Sequence, residues 1–183
     1  MRGFRIGSAV GIPIRLNWTF LIVLPLFAAF IARDITGLTL VINETFATTI
    51  DSGDLTTGYL PWILGLASAL GLFVGVLLHE FGHSLVALRY GYEIESITLW
   101  LLGGVASFSE FPDDWRHELV IAIAGPVVSV LIGVGSYVAF IALPSSLDPV
   151  RFVFGYLAVL NIVLAAFNLL PGFPMDGGRI LRA

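Results

Sequence analysis

Two histidines and a glutamate stand together in His79-Glu80-Phe81-Gly82-His83. Residues four apart on a helix share a face, so His79 and His83 can both reach one metal ion. Glu80 is rotated to the side, where it can reach a metal-bound water rather than the metal. Two imidazoles do not complete a catalytic zinc site, which takes three protein ligands and an open position. The chain has three His and no Cys, so thiolate ligands, thiol nucleophiles and disulfides are excluded. The remaining histidine, His117, lies in Trp115-Arg116-His117-Glu118 at the border of a long apolar stretch and reads as interfacial. Asp176 is the better third ligand. It follows Asn168-Leu169-Leu170-Pro171-Gly172-Phe173-Pro174-Met175, in which Pro171, Gly172 and Pro174 must break a helix. Its other reading is a loop aspartate before the Gly177-Gly178 turn. Two imidazoles and one carboxylate leave zinc with a net charge of about +1.

The elements that carry these residues are apolar. Of 183 residues, 57% are hydrophobic and 12% charged, and mean hydropathy is +0.95. A soluble chain of this size could not hide so much apolar surface, and disorder is excluded by the same composition. Four stretches between ionisable residues, 16–32, 55–78, 119–147 and 152–175, reach the roughly 17–25 residues that a membrane-spanning helix needs. Trp18 suits an interfacial position, and Pro25 predicts a kink in the first span. The second span runs without a turn signal from about Tyr59 to Arg89, with His79, Glu80 and His83 in its inner end. Counted back from Arg89, the motif lies roughly 9–15 Å below the inner surface at about 1.5 Å per residue. Ionisable groups at such depth are costly and read as functional. The fourth span brings Asp176 to the same side at a similar depth, and broken backbone there implies a wet or protein-lined cavity.

Orientation follows from arginine, since the chain has no Lys. With the N-terminus in the cytoplasm, Arg2, Arg5, Arg15, Arg89, Arg116, Arg179 and Arg182 fall inside and only Arg33 and Arg151 outside. An outer loop is expected over 34–58; its Asn43-Glu44-Thr45 is either a glycosylation sequon or a chance tripeptide. The net charge of −4 argues against a nucleic-acid partner. Residues 94–108, partly alternating and interrupted by Gly103-Gly104, read as a short β-hairpin at the cytoplasmic surface. The expected fold is therefore an all-α polytopic membrane protein, with four transmembrane helices and that hairpin, forming a single domain over 1–183.

With these elements in place the sequence resembles the site-2 protease family of intramembrane zinc metalloproteases. The matching residues are His79-Glu80-Phe81-Gly82-His83, Gly103-Gly104-Val105, Ala124-Gly125-Pro126, and Asn168 through Gly178 with Asp176. The wording Phe173-Pro174-Met175-Asp176-Gly177-Gly178-Arg179 is most similar to the branch whose members often carry CBS domains. No room is left for the PDZ insertion of another branch, because the hairpin and two spans use the residues between His83 and Asp176. Family members usually continue with two further spans, so the chain is expected to be the catalytic core of a longer protein.

The resemblance implies one catalytic zinc ion held by His79, His83 and Asp176, with Glu80 as general base, in a multi-pass protein of the cell membrane whose site opens to the cytoplasm. Transmembrane proteins would be its substrates. Asn168 is a candidate for holding the substrate backbone or stabilising the oxyanion, and equally for helix packing. A substrate helix must be unwound before attack, and strand addition to the hairpin edge would present it. Gly125-Pro126 read as helix packing more than gating. Competing readings are a family relative that only binds partners, a metal transporter, and another H-E-x-x-H protease with a different third ligand. Intact Glu80 disfavours the first, and the compact grouping of ionisable residues disfavours the second.

Overall fold

The computed structural model describes residues 3–100, 103–108, 114–172 and 175–182. The chain begins with two strands, β1 (Gly3–Ala9) and β2 (Ile12–Asn17). Helices α1 (Phe20–Arg33), α2 (Ile35–Phe46), α3 (Ser52–Leu55) and α4 (Leu60–Arg89) follow. Strands β3 (Ile94–Trp100) and β4 (Gly103–Phe108) precede α5 (Trp115–Ala142), α6 (Asp148–Asn168) and α7 (Asp176–Arg182).

Three helical segments, Leu60–Arg89, Trp115–Ala142 and Ser145–Asn168, are long and apolar enough to cross a membrane. The first expected span is different. α1 and α2 qualify only as a pair, and they are bent by 74° at Asp34. A sharp break falls at Asp34, and α1 runs on through Pro25 as one helix. Much of the expected outer loop over 34–58 is helical. Ile35, Leu38, Ile42 and Phe46 recur at helical spacing and pack into a core with Ile31, Phe140 and Phe152. Asn43 closes the chain after α2: its Nδ2 donates to the Ile50 carbonyl (3.0 Å) and its Oδ1 accepts from the Ile50 N–H (2.9 Å). Both ends of the amide are used in this clasp.

The expected β-hairpin over 94–108 is corrected to part of a four-stranded sheet of order β1-β2-β3-β4. β3 and β4 pair antiparallel, while β2 pairs parallel with β3 through Ile14↔Ile97 and Leu16↔Leu99. Residues 101 and 102 lie outside the described residues, as do Arg2, Phe173 and Pro174. β1 and β2 are joined by Val10 and Gly11, with φ of 53° and 80°. Two positive φ values in a two-residue turn are the mark of a type I′ hairpin. The fold is therefore mostly helical rather than all-α. The sheet lays Ile12, Ile97 and Ala106 on Phe81, and Leu99 on Phe73 and Val76, which brings β4 alongside the C-terminal half of α4.

α4 is the central helix and packs on α1, α5 and α6. Small residues let the backbones approach. A Cβ at Gly82 would stand 2.8 Å from the Ala124 carbonyl of α5, so the half of α4 that carries the histidines lies tight against α5.

Candidate metal centre

His79 and His83 sit one turn apart on α4 and are each 4% exposed. Asp176, the first residue of α7, is 8% exposed. Its Oδ2 lies 3.2 Å from the Nε2 of His79 and 3.2 Å from the Nε2 of His83. The two Nε2 atoms are 3.1 Å apart. Three ligand atoms therefore form a nearly equilateral triangle. Around a tetrahedral zinc with bonds of about 2.0–2.1 Å, ligand atoms are separated by about 3.3–3.4 Å. The observed edges are shorter by about one to three tenths of an ångström, so the residues present fit the ion. They form the one such group of His, Asp and Glu among the described residues.

The imidazoles are aimed by their other nitrogens. His83 Nδ1 lies 2.7 Å from the Ile121 carbonyl, which can only accept. Nδ1 must therefore donate, leaving a lone pair on Nε2 that points to the centre. His79 Nδ1 meets the Ser129 hydroxyl at 2.9 Å, and Ser129 is fully buried. Both partners come from α5, so α5 orients the rings that α4 carries.

Glycine makes room at three points. A Cβ on Gly125 of α5 would collide with His83 Nε2 and stand 2.7 Å from His79 Nε2. Gly125 thus clears space for the ligand atoms themselves, a role sharper than the general helix packing expected of Gly125-Pro126. A Cβ on Gly104 of β4 would run into Glu80 Cγ and lie 3.1 Å from Glu80 Oε1. A Cβ on Gly177 would strike the Leu169 and Leu170 carbonyls, so α7 folds directly back on the end of α6.

Glu80 is not among the converging ligand atoms. Its Oε2 accepts the Ala106 N–H of β4 at 3.2 Å. The carboxylate stands in the same cavity as the triangle, a space of about 170 Å³ lined by His79, His83, Asp176, Glu80, Asn168, Arg179 and residues 104–106. Asn168 reaches that wall while its Nδ2 donates to the Leu164 carbonyl (2.9 Å). His117 stands apart: Tyr90 stacks on it at 4.1 Å and its Nδ1 meets Tyr92 Oη at 2.9 Å. Ser129 stands at the site without having been singled out in the sequence, and Gly104, Gly125 and Arg179, quoted above only as motif residues, stand against it as well. The small residues at 125 and 129 of α5 were visible, but not which helix they faced.

The model of peptidase family M50 matches residues 67–148 and 144–183. A putative zinc metalloprotease of Synechocystis is 37% identical over 179 residues, covering 98% of this chain and 43% of the relative. A zinc metalloprotease of Methanocaldococcus jannaschii is 38% identical over 179 residues, covering 98% and 44%. The putative zinc metalloprotease Rip3 of Mycobacterium tuberculosis is 34% identical over 184 residues, covering 97% and 42%. The chain thus spans less than half the length of these relatives. Among solved structures, the site-2 protease from Methanocaldococcus jannaschii superposes with a TM-score of 0.64 at 34% identity, covering 99% of this chain and 70% of that one.

Proposed function

The chain belongs to peptidase family M50, the site-2 proteases, and we propose that it is a zinc-dependent endopeptidase that cuts peptide bonds within or beside transmembrane segments. The triangle of His79 Nε2, His83 Nε2 and Asp176 Oδ2 carries this reading, because three buried lone-pair donors at 3.1–3.2 Å have the spacing of a metal's ligands. Bound zinc would supply Lewis acidity, polarising the scissile carbonyl and acidifying a water. His79, His83 and Asp176 would hold one ion. Ser129 and the Ile121 carbonyl keep the imidazole lone pairs turned inward.

Glu80 then acts as general base. It takes a proton from the attacking water on its carboxylate and delivers it to the leaving amide nitrogen. Its placement in the same cavity, but outside the triangle, supports that division of labour. Asn168, on the cavity wall, is placed to hold the substrate backbone through its amide. Transmembrane proteins are the proposed substrates. β4 is the last strand in the sheet order and its residues 104–106 line the cavity. Strand addition of an unwound segment along β4 would bring a peptide bond to the metal, in competition with Glu80 for the Ala106 N–H. The apolar spans and the arginine distribution support a multi-pass protein of the cell membrane with a cytoplasmic N-terminus and a site reached from the cytoplasm.

The test is cleavage of a transmembrane substrate co-reconstituted with wild type and with Glu80→Gln, each with its zinc content. The expected result is retained zinc and lost cleavage in the variant. Cleavage at the wild-type rate by Glu80→Gln refutes the assignment.

A further inference from the structure

Glu118 is a buried acid that the metal centre does not use. It lies in the first turn of α5 and is 7% exposed. A buried carboxylate needs a partner, and this one takes two from the same short helix. Arg182 Nη2 donates to Glu118 Oε1 at 2.5 Å, and Arg179 Nε lies 3.8 Å from the same oxygen. Both arginines belong to α7, whose first residue is Asp176.

α7 has seven residues. A helix so short has no stability of its own, so outside contacts must set its place. One contact is internal to the connection, where Gly177 rests on the carbonyls of Leu169 and Leu170. Another is the ion pair with α5. Arg179 follows Asp176 by three residues and Arg182 follows Arg179 by three, so all three share one side of α7. α5 meanwhile supplies Ser129 and the Ile121 carbonyl that aim the imidazoles. The same helix therefore orients two ligands directly and grips the carrier of the third.

We propose that Glu118 is a positioning residue for the metal centre: by gripping Arg182 and Arg179 it fixes α7 against α5 and holds Asp176 at the two imidazoles. The inference rests on the reading of His79, His83 and Asp176 as zinc ligands. A different role for Glu118 would be local, as a first-turn acid favoured by the α5 helix dipole next to the Asp114 cap. That role would change the stability of α5 without passing through Asp176.

The experiment measures zinc affinity of the 183-residue chain in lipid nanodiscs by competition with a chromophoric chelator. The visible spectrum of the cobalt(II)-loaded protein is recorded as a report on the ligand set. The variants are Glu118→Gln, Asp176→Asn, the two combined, and Arg182→Gln. Glu118→Gln should weaken zinc by about 10–100-fold, the scale of losing an outer partner of a ligand. Asp176→Asn should weaken it at least as much. The combined variant should match Asp176→Asn alone, because Glu118 acts only through that ligand. Wild-type affinity in Glu118→Gln overturns the proposal, and so does an additive loss in the combined variant. Zinc binding unchanged in Asp176→Asn overturns the ligand reading, and the proposal with it. If Glu118→Gln does not fold, Arg182→Gln decides, since the Arg182 side chain is 69% exposed and its loss spares the core. A several-fold loss of affinity there supports the clamp, and none refutes it.

Discussion

Replacing Gly125 with Ala adds one methyl group at the point where α5 faces both imidazoles. The new Cβ would collide with His83 Nε2, stand 2.5 Å from His83 Cε1 and 2.7 Å from His79 Nε2. Ordinary contact begins at 3.4 Å, so the His79 ring alone must retreat by about 0.7 Å, and that of His83 by more. Zinc ligation tolerates displacements of only about 0.2 Å. Retreat would also stretch the contacts to Ser129 and the Ile121 carbonyl, at 2.9 and 2.7 Å. Loss of such partners alone costs about 10–100-fold in metal affinity, or about 1.4–2.7 kcal/mol. Ala is meanwhile a better helix former than Gly by up to about 1 kcal/mol, so the backbone of α5 does not suffer from the change itself. Gly125→Ala should therefore keep its helical content and lose zinc affinity by at least tenfold. Chelator competition and circular dichroism on the same samples separate the two effects. Wild-type zinc affinity in Gly125→Ala would show that the imidazoles do not stand against α5 as described.

Ser129→Ala should weaken zinc binding by about tenfold in the same competition assay, because His79 loses the hydroxyl that orients it. Gly104→Ala should leave zinc content unchanged and lower kcat, since the added methyl displaces Glu80 rather than a ligand; parallel zinc and cleavage measurements check this. Asn43→Ala should destabilise the protein by about 1–3 kcal/mol, as the Ile50 N–H and carbonyl both lose their clasp; the shift is read from denaturation of the reconstituted protein. Removing metal with a chelator should abolish cleavage, and restoring zinc should recover it.

His79 and His83 were legible because a four-residue spacing on a long apolar helix leaves them one face and no cheap structural role. Asp176 was legible from its broken helix, since Pro171 and Gly172 end α6 on the side where α4 presents its histidines. The partners of these three side chains were not. Ser129 lies 50 positions from His79, and Glu118 lies 64 from Arg182. Such pairings depend on how α5 is rotated against α4 and α7, which spacing within one helix does not reveal. β1 and β2 escaped notice because the stretch before Trp18 is short and mixes Arg, Gly and Pro13 among its apolar residues. Its signal was there in Ile12, Ile14 and Leu16 alternating after Val10-Gly11. α2 was hidden by its Thr, Gly and Asn residues, although Ile35, Leu38, Ile42 and Phe46 keep helical spacing.

The central claim is that two imidazoles and one carboxylate hold a single catalytic zinc. X-ray absorption at the zinc edge of the purified, zinc-loaded chain measures this most directly, together with the zinc-to-protein ratio. The account predicts one zinc per chain, two imidazoles in the scattering pattern, and loss of an oxygen ligand in Asp176→Asn. A third imidazole, which could come only from His117, or an unchanged spectrum in Asp176→Asn, would contradict it.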